Sequence, residues 1–118
     1  MEKKIKLVYV AGKYRSKCGF FGVAKNILRA WYYGRKIAKT GLFPIVPHGN
    51  TAFFDFGWPK ISDDLILPAC IEIMKRCDAI YVMPRYIESK GTMAEIDAAK
   101  KAGIPVFFTI EVLKRDMV

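Results

Sequence analysis

The segment "DAIYVMPRYIESKGTMAEIDAAKKAGIPVFFTI", Asp78 to Ile110, decides the fold. It opens on an apolar run of strand length, crosses a polar turn, takes helical spacing from Gly91 or Thr92 to about Gly103, and closes on a second apolar run. Two near-continuous apolar strands joined by a helix indicate a parallel pair, which needs such a crossover and is buried on both faces. The rest of the chain repeats the alternation. "IKLVYVAG" is a β-rich run ending in glycine, and "FGVAKNILRAWYYGRKIAKTG" carries Val23, Ile27, Trp31 and Ile37 near helical spacing until Gly41 stops it. "LFPIVPHG" reads as a second short strand, and "NTAFFDFGWPKIS" has no period and reads as a loop. Ser62 or Asp63 caps a helix through "DLILPACIEIMKRC", whose early part Pro68 disturbs. The expected fold is α/β: a doubly wound, flavodoxin-like, three-layer α/β/α domain over residues 1–118, with a parallel sheet of four to five strands in the order 2-1-3-4.

Composition narrows the function classes. A chain of 118 residues that is 53% hydrophobic and 26% charged supports one small core. Its apolar runs fall far short of the roughly 20 residues that cross a bilayer. The N-terminus lacks a signal-peptide cleavage pattern, so a cytoplasmic protein without membrane partners is expected. Cys18, Cys70 and Cys77 are odd in number, form no C-x-x-C and do not join His48 in a ligand spacing; neither a disulfide framework, a metal nor another cofactor is expected. The formal charge of +9 suits phosphate-bearing partners, but Lys and Arg are spread from Lys3 to Arg115 without a dense cluster. A solvated basic surface and a specific electrostatic role both remain open, and the absence of a recognised nucleic-acid motif argues against a nucleic-acid-binding accessory protein.

In doubly wound sheets, ligands bind beyond the carboxyl ends of the strands where the order switches, here between the first and third. The loops there are "GKYRSKCGF" and "PRYIESKGT", and the second leads to Glu95. Two readings of Glu95 compete. With Thr92 it forms the T-x-x-E of a capping box, holding the helix start together; alternatively its carboxylate does chemistry, kept ionised in a first helical turn by the positive end of the helix.

The motifs "YVAG", "GLFPIVPH", "RCDAIYVMP" and "SKGTMAEIDAAKKAGIPVF" resemble the nucleoside 2-deoxyribosyltransferase superfamily over nearly the whole chain. The likeness is greatest to its short bacterial and phage-borne members, and the deoxynucleoside 5'-monophosphate N-hydrolases are similar relatives. The resemblance implies that Glu95 is the nucleophile in cleavage or exchange of an N-glycosidic bond. A carboxylate beneath the anomeric carbon would stabilise the oxocarbenium-like sugar or form a glycosyl-enzyme. It also implies that Tyr9 lies near that nucleophile and orients it, and that subunits of a homodimer or higher homo-oligomer close the pocket.

Two departures from the family pattern matter. Where relatives carry an aspartate eight residues before Asp78, this chain has Cys70. Glu72, two positions on, reaches the same site only if the helix is distorted. Six residues before Glu95, where the nucleoside transferases place an aspartate on the sugar 5'-hydroxyl, stands Ser89, as in the monophosphate hydrolases. A hydroxyl beside helix N–H groups accepts a 5'-phosphate that a carboxylate repels. The expected phosphate site therefore comprises Ser89, Gly91 and Thr92 with Gly12, Lys13, Arg15 and Ser16 of the first loop; the last three read equally well as an exposed basic turn. His48 and Phe53 are candidate base contacts, with Phe54, Phe56 and Trp58 beside Phe53 as further stacking residues or a subunit contact. A small-molecule nucleotide or nucleoside is the expected ligand. The alternative is a non-catalytic nucleotide-binding module that kept the pocket, for which Cys70 is the sign.

Overall fold

A computed structural model describes residues 4–14, 19–50 and 63–118. Strand β1 (Leu7–Ala11) pairs with β2 (Phe43–Ile45) on one side and β3 (Ala79–Val82) on the other, and β4 (Val106–Phe107) lies beyond β3. All pairings are parallel, with Tyr9 opposite Ile45 and Ile80, and Tyr81 opposite Phe107. The order is the expected 2-1-3-4, with four strands among the described residues.

Helices α1 (Gly19–Ala38), α2 (Asp63–Lys75), α3 (Lys90–Lys101) and α4 (Ile110–Met117) cover the sheet. Side chains alternate across a strand, so each strand feeds two cores. Val8, Val10, Tyr81 and Met83 pack with Ala30 and Ile37 of α1 and Leu113 of α4. Tyr9, Ala11, Ile80 and Val82 pack with Met74 of α2 and with Ile96 and Ala99 of α3. A fully buried aliphatic side chain contributes about 1.5–3 kcal/mol, which is why these short strands need helices on both faces. Asp78 ties the edge of β3 to β1, its Oδ2 accepting from the Leu7 N–H at 2.8 Å.

Several boundaries differ from the sequence reading. The second strand stops at Ile45, and residues 47–50 are helical. Pro47 has no N–H for the ladder, while its fixed φ suits a first helical turn. In α1 the buried apolar side chains are Val23, Ile27, Ala30 and Ile37, whereas Trp31 is 53% exposed, one residue round from that face. Helix α2 runs unbroken through Pro68. The fourth strand is only Val106–Phe107, because Thr109 turns the chain into α4, its Oγ1 accepting from the Val112 N–H at 3.3 Å. Gly41 (φ 98°) and Gly103 (φ 73°) follow α1 and α3 in the left-handed region, as their predicted role as helix stops requires. No helix among the described residues is long and apolar enough to cross a membrane.

Candidate functional site

The start of α3 decides against the capping reading of Glu95. Ser89, extended at φ −119°, is the N-cap: its Oγ accepts from the Thr92 N–H at 3.2 Å and from the Thr92 hydroxyl at 2.9 Å. The helix therefore opens at Lys90, ahead of Gly91 and Thr92, and Glu95 is its sixth residue. At that depth the carboxylate is beyond the orphan N–H groups of the first turn, so the capping-box reading fails. The expectation that Glu95 sits in the first turn, held ionised by the helix start, fails with it. Glu95 is 7% exposed, and burial pushes its carboxyl up to about 7, against a lowering influence from the Tyr9 hydroxyl.

Tyr9 meets Glu95 because of the strand period. It stands on the β1 face covered by α2 and α3, fully buried. Burial raises its phenol far above the ordinary range, and the neighbouring Glu95 charge and Cys70 act in the same direction. The two groups influence each other electrostatically, yet no hydrogen bond of accepted geometry joins them: the Tyr9 hydroxyl and Glu95 Oε2 are buried and unpartnered among the described residues. Buried polar atoms without partners are costly in a packed core, and these two border open space rather than close packing.

That space is a cavity of about 390 Å³ at the carboxyl ends of β1 and β3. Tyr9, Cys70 and Glu95 line it together with Gly12, Lys13 and Tyr14 after β1, Pro47 and His48 after β2, Ile66 and Leu67 of α2, and Glu88 to Thr92 before and within α3. At Gly12 a Cβ would run into the Met83 side chain, which is why glycine lets the β1 loop pass so close to the end of β3. Ser89 already accepts two hydrogen bonds, so its own proton is its remaining donor toward the cavity. Lys13 Nζ lies 3.7 Å from Glu88 Oε2.

His48 is 4% exposed. Its Nε2 lies 3.2 Å from the Lys13 carbonyl, which can only accept, so Nε2 carries the proton and Nδ1 is an acceptor, buried without a partner among the described residues. Burial lowers the imidazole pKa and keeps the ring neutral. The Tyr14 ring packs against it at a centroid distance of 5.7 Å.

A family model described as a domain of unknown function, DUF7768, matches residues 6–109. The chain belongs to the DUF7768 family. The match contains all four strands and every cavity residue, and it ends at the Thr109 cap of α4, so the last helix lies outside it. No curated protein matches this DUF7768 chain.

Of the residues singled out in the sequence, the cavity of this DUF7768 domain brings together Tyr9, Gly12, Lys13, His48, Ser89, Gly91, Thr92 and Glu95. Glu72 is not among them. It is exposed on α2 and lies 3.4 Å from Arg76 one turn on, since α2 stays regular and points Cys70, not Glu72, at the cavity. Arg15, Ser16, Phe53, Phe54, Phe56, Trp58, Cys18 and the capping candidate Ser62 lie outside the described residues. No cluster of three His, Cys, Asp or Glu able to hold a metal ion occurs among the described residues. Sequence reasoning missed Tyr14, Pro47, Ile66, Leu67, Glu88 and Lys90 as cavity residues. It also missed Asn26, 7% exposed on the apolar face of α1, whose side-chain amide donates to the Tyr14 carbonyl at 3.0 Å and anchors the β1 loop. A polar residue one position from Ile27 on a buried helix face was the available signal.

Proposed function

We propose that this protein cleaves or exchanges the N-glycosidic bond of a nucleoside 5'-monophosphate, with Glu95 as nucleophile, as a cytoplasmic homo-oligomer. The observation that carries the reading is the Glu95 carboxylate itself: freed from capping, buried on the cavity floor, and unpartnered at Oε2. In this reading the ionised carboxylate attacks the anomeric carbon as the bond to the base breaks, and the base leaves with a proton taken from solvent. The glycosyl ester is then released by water or by a second base, regenerating the carboxylate. The Tyr9 hydroxyl, buried beside Glu95, favours its ionised form, and the helix start with Ser89 and Lys13 receives the phosphate. Incubating the protein with ribo- and deoxynucleoside 5'-monophosphates and measuring free base tests the proposal; no release from any of them overturns it.

Cys70 favours a second reading, a nucleotide-binding module without catalysis. A thiol lines the cavity where the resembled enzymes carry a carboxylate, and a thiol does not replace one at neutral pH. Saturable nucleotide binding with no base release would select that reading. The homo-oligomer rests on exposed apolar residues along α1, Phe21, Leu28, Trp31 and Tyr32, and light scattering at micromolar concentration checks it, a monomer being the contrary result.

A further inference from the structure

The lip of the cavity is not a simple anion trap. Lys13 is already paired with Glu88, at 3.7 Å from Nζ to Oε2. Arg85 grips the same carboxylate from the other side, with Nε 3.1 Å from Oε2 and a terminal guanidinium nitrogen donating to Oε1 at 3.3 Å. The turn that holds them is constrained: Arg85 has φ 69°, and it is the non-glycine residue with positive φ among the described residues. The Arg85 hydrogen bond, followed by the Arg85 and Lys13 charges, keeps Glu88 below the usual carboxylate range, so it is an anion throughout the neutral region. Glu88 immediately precedes Ser89, the N-cap whose free proton and following helix N–H groups are the donors of the cavity wall.

A phosphate seated on Ser89 and the start of α3 competes with Glu88 for Lys13. In that reading a second phosphate directed outward from the first would meet the Glu88 carboxylate at the lip, beside Lys13 and Lys90. We infer that Glu88 is the specificity residue of this subsite: a resident anion that a single phosphate displaces from Lys13 but that rejects a further one, so that terminal monophosphates are taken and diphosphates refused. The inference rests on the phosphate reading of the cavity proposed above. Repulsion between like charges about 4 Å apart, partly screened at a surface, is on the order of a tenfold effect in affinity. Its signature is inverted order: an unopposed cationic site binds pyrophosphate more tightly than phosphate, whereas a site guarded by a carboxylate does not.

The test uses inorganic phosphate and pyrophosphate as probes, titrated calorimetrically at pH 8 into wild type, Glu88→Gln and Lys13→Met. Wild type should bind phosphate at least as tightly as pyrophosphate. Glu88→Gln should gain on the order of tenfold for pyrophosphate and only a few-fold for phosphate, reversing the order. Lys13→Met should weaken both, which places the binding at this lip. Tighter pyrophosphate binding by wild type, no change in Glu88→Gln, no effect of Lys13→Met, or no binding of either probe overturns the inference. Base release from nucleoside monophosphates is measured separately. The inverted order without base release removes the catalytic reading alone, and base release with an unaltered probe order in Glu88→Gln removes this inference alone.

Discussion

Two buried tyrosines on neighbouring strands face opposite sides of the sheet and meet different chemistry. Tyr81 of β3 points toward α1 and α4, where its ring packs on Tyr33 at 5.7 Å and burial pushes its phenol up to about 12. Tyr9 of β1 points toward α2 and α3, where its hydroxyl is unpartnered beside Glu95 and Cys70. On the first of these faces Tyr81 and Tyr33 also border a wide depression of about 510 Å³ with Lys36, Lys114 and Glu111. The other is a core that stops short at the carboxyl end of the sheet, because the β1 loop, residues 47–50 and the start of α3 spread around a cavity there instead of filling it. The same apolar alternation therefore puts an open depression rimmed by charged residues beside one tyrosine, and a cavity holding a buried, unpartnered carboxyl beside the other.

The sharpest break between the two faces comes from Glu95→Gln. Base release should fall by roughly a thousandfold or more, as removal of a nucleophile does, while circular dichroism stays unchanged. Full activity in the variant would remove Glu95 from the mechanism.

The pH dependence follows from the raised carboxyl. Glu95 moves from an ordinary 4.5 to about 7 on folding, so between those values the folded state holds a proton that the unfolded state has lost. Its contribution is thus fully present below about 4.5, is lost as pH rises toward 7, and amounts to on the order of 3 kcal/mol across the window. Urea melts at pH 5 and pH 8 should show wild type losing stability relative to Glu95→Gln, and a parallel response of the two proteins would contradict the buried-acid assignment. Base release should rise over the same range and level off above it, since only the ionised form attacks.

Ser89 separates helix capping from anion binding. Ser89→Ala should lose about 1 kcal/mol of stability along with phosphate affinity, whereas Ser89→Asp retains a good N-cap and should lose phosphate affinity alone. Equal phosphate binding by all three proteins would leave Ser89 with only its structural role.

Paired hydroxyl deletions sharpen the tyrosine comparison. Tyr9→Phe removes an unsatisfied buried group, so stability should hold or rise by up to about 1 kcal/mol while base release falls; Tyr81→Phe should leave base release as it is. Thermal melts and turnover of both variants give the answer, and equal activity losses would erase the difference between the faces. The smallest effect belongs to Glu72→Ala. As one partner of an exposed pair with Arg76 outside the cavity, Glu72 should change stability by less than about 0.5 kcal/mol and leave turnover unaltered. A large activity loss there would return Glu72 to the site.

The sequence by itself determined the alternation of apolar strands with helices, the order 2-1-3-4 and the switch-point location of the cavity, because parallel pairing, right-handed crossovers and two-faced burial leave few topologies for such a pattern. It also pointed to Glu95, Ser89 and Lys13 in and beside the loops beyond the strand ends, and the family resemblance added Tyr9; all four line the cavity. Which residue caps α3 was decided only in three dimensions: the hydroxyl nearest the free N–H groups is that of Ser89, and this placed Glu95 a turn deeper and raised its pKa by burial. The same holds for His48, which Pro47 turned off the sheet and into a buried position, and for Glu72, which a helix left undistorted by Pro68 kept in solvent. Charge state, hydrogen-bond partners and the direction of a side chain depend on neighbours distant in the chain. Glu88 and Lys13, far apart in the chain, meet at 3.7 Å beside the cavity only in the folded molecule.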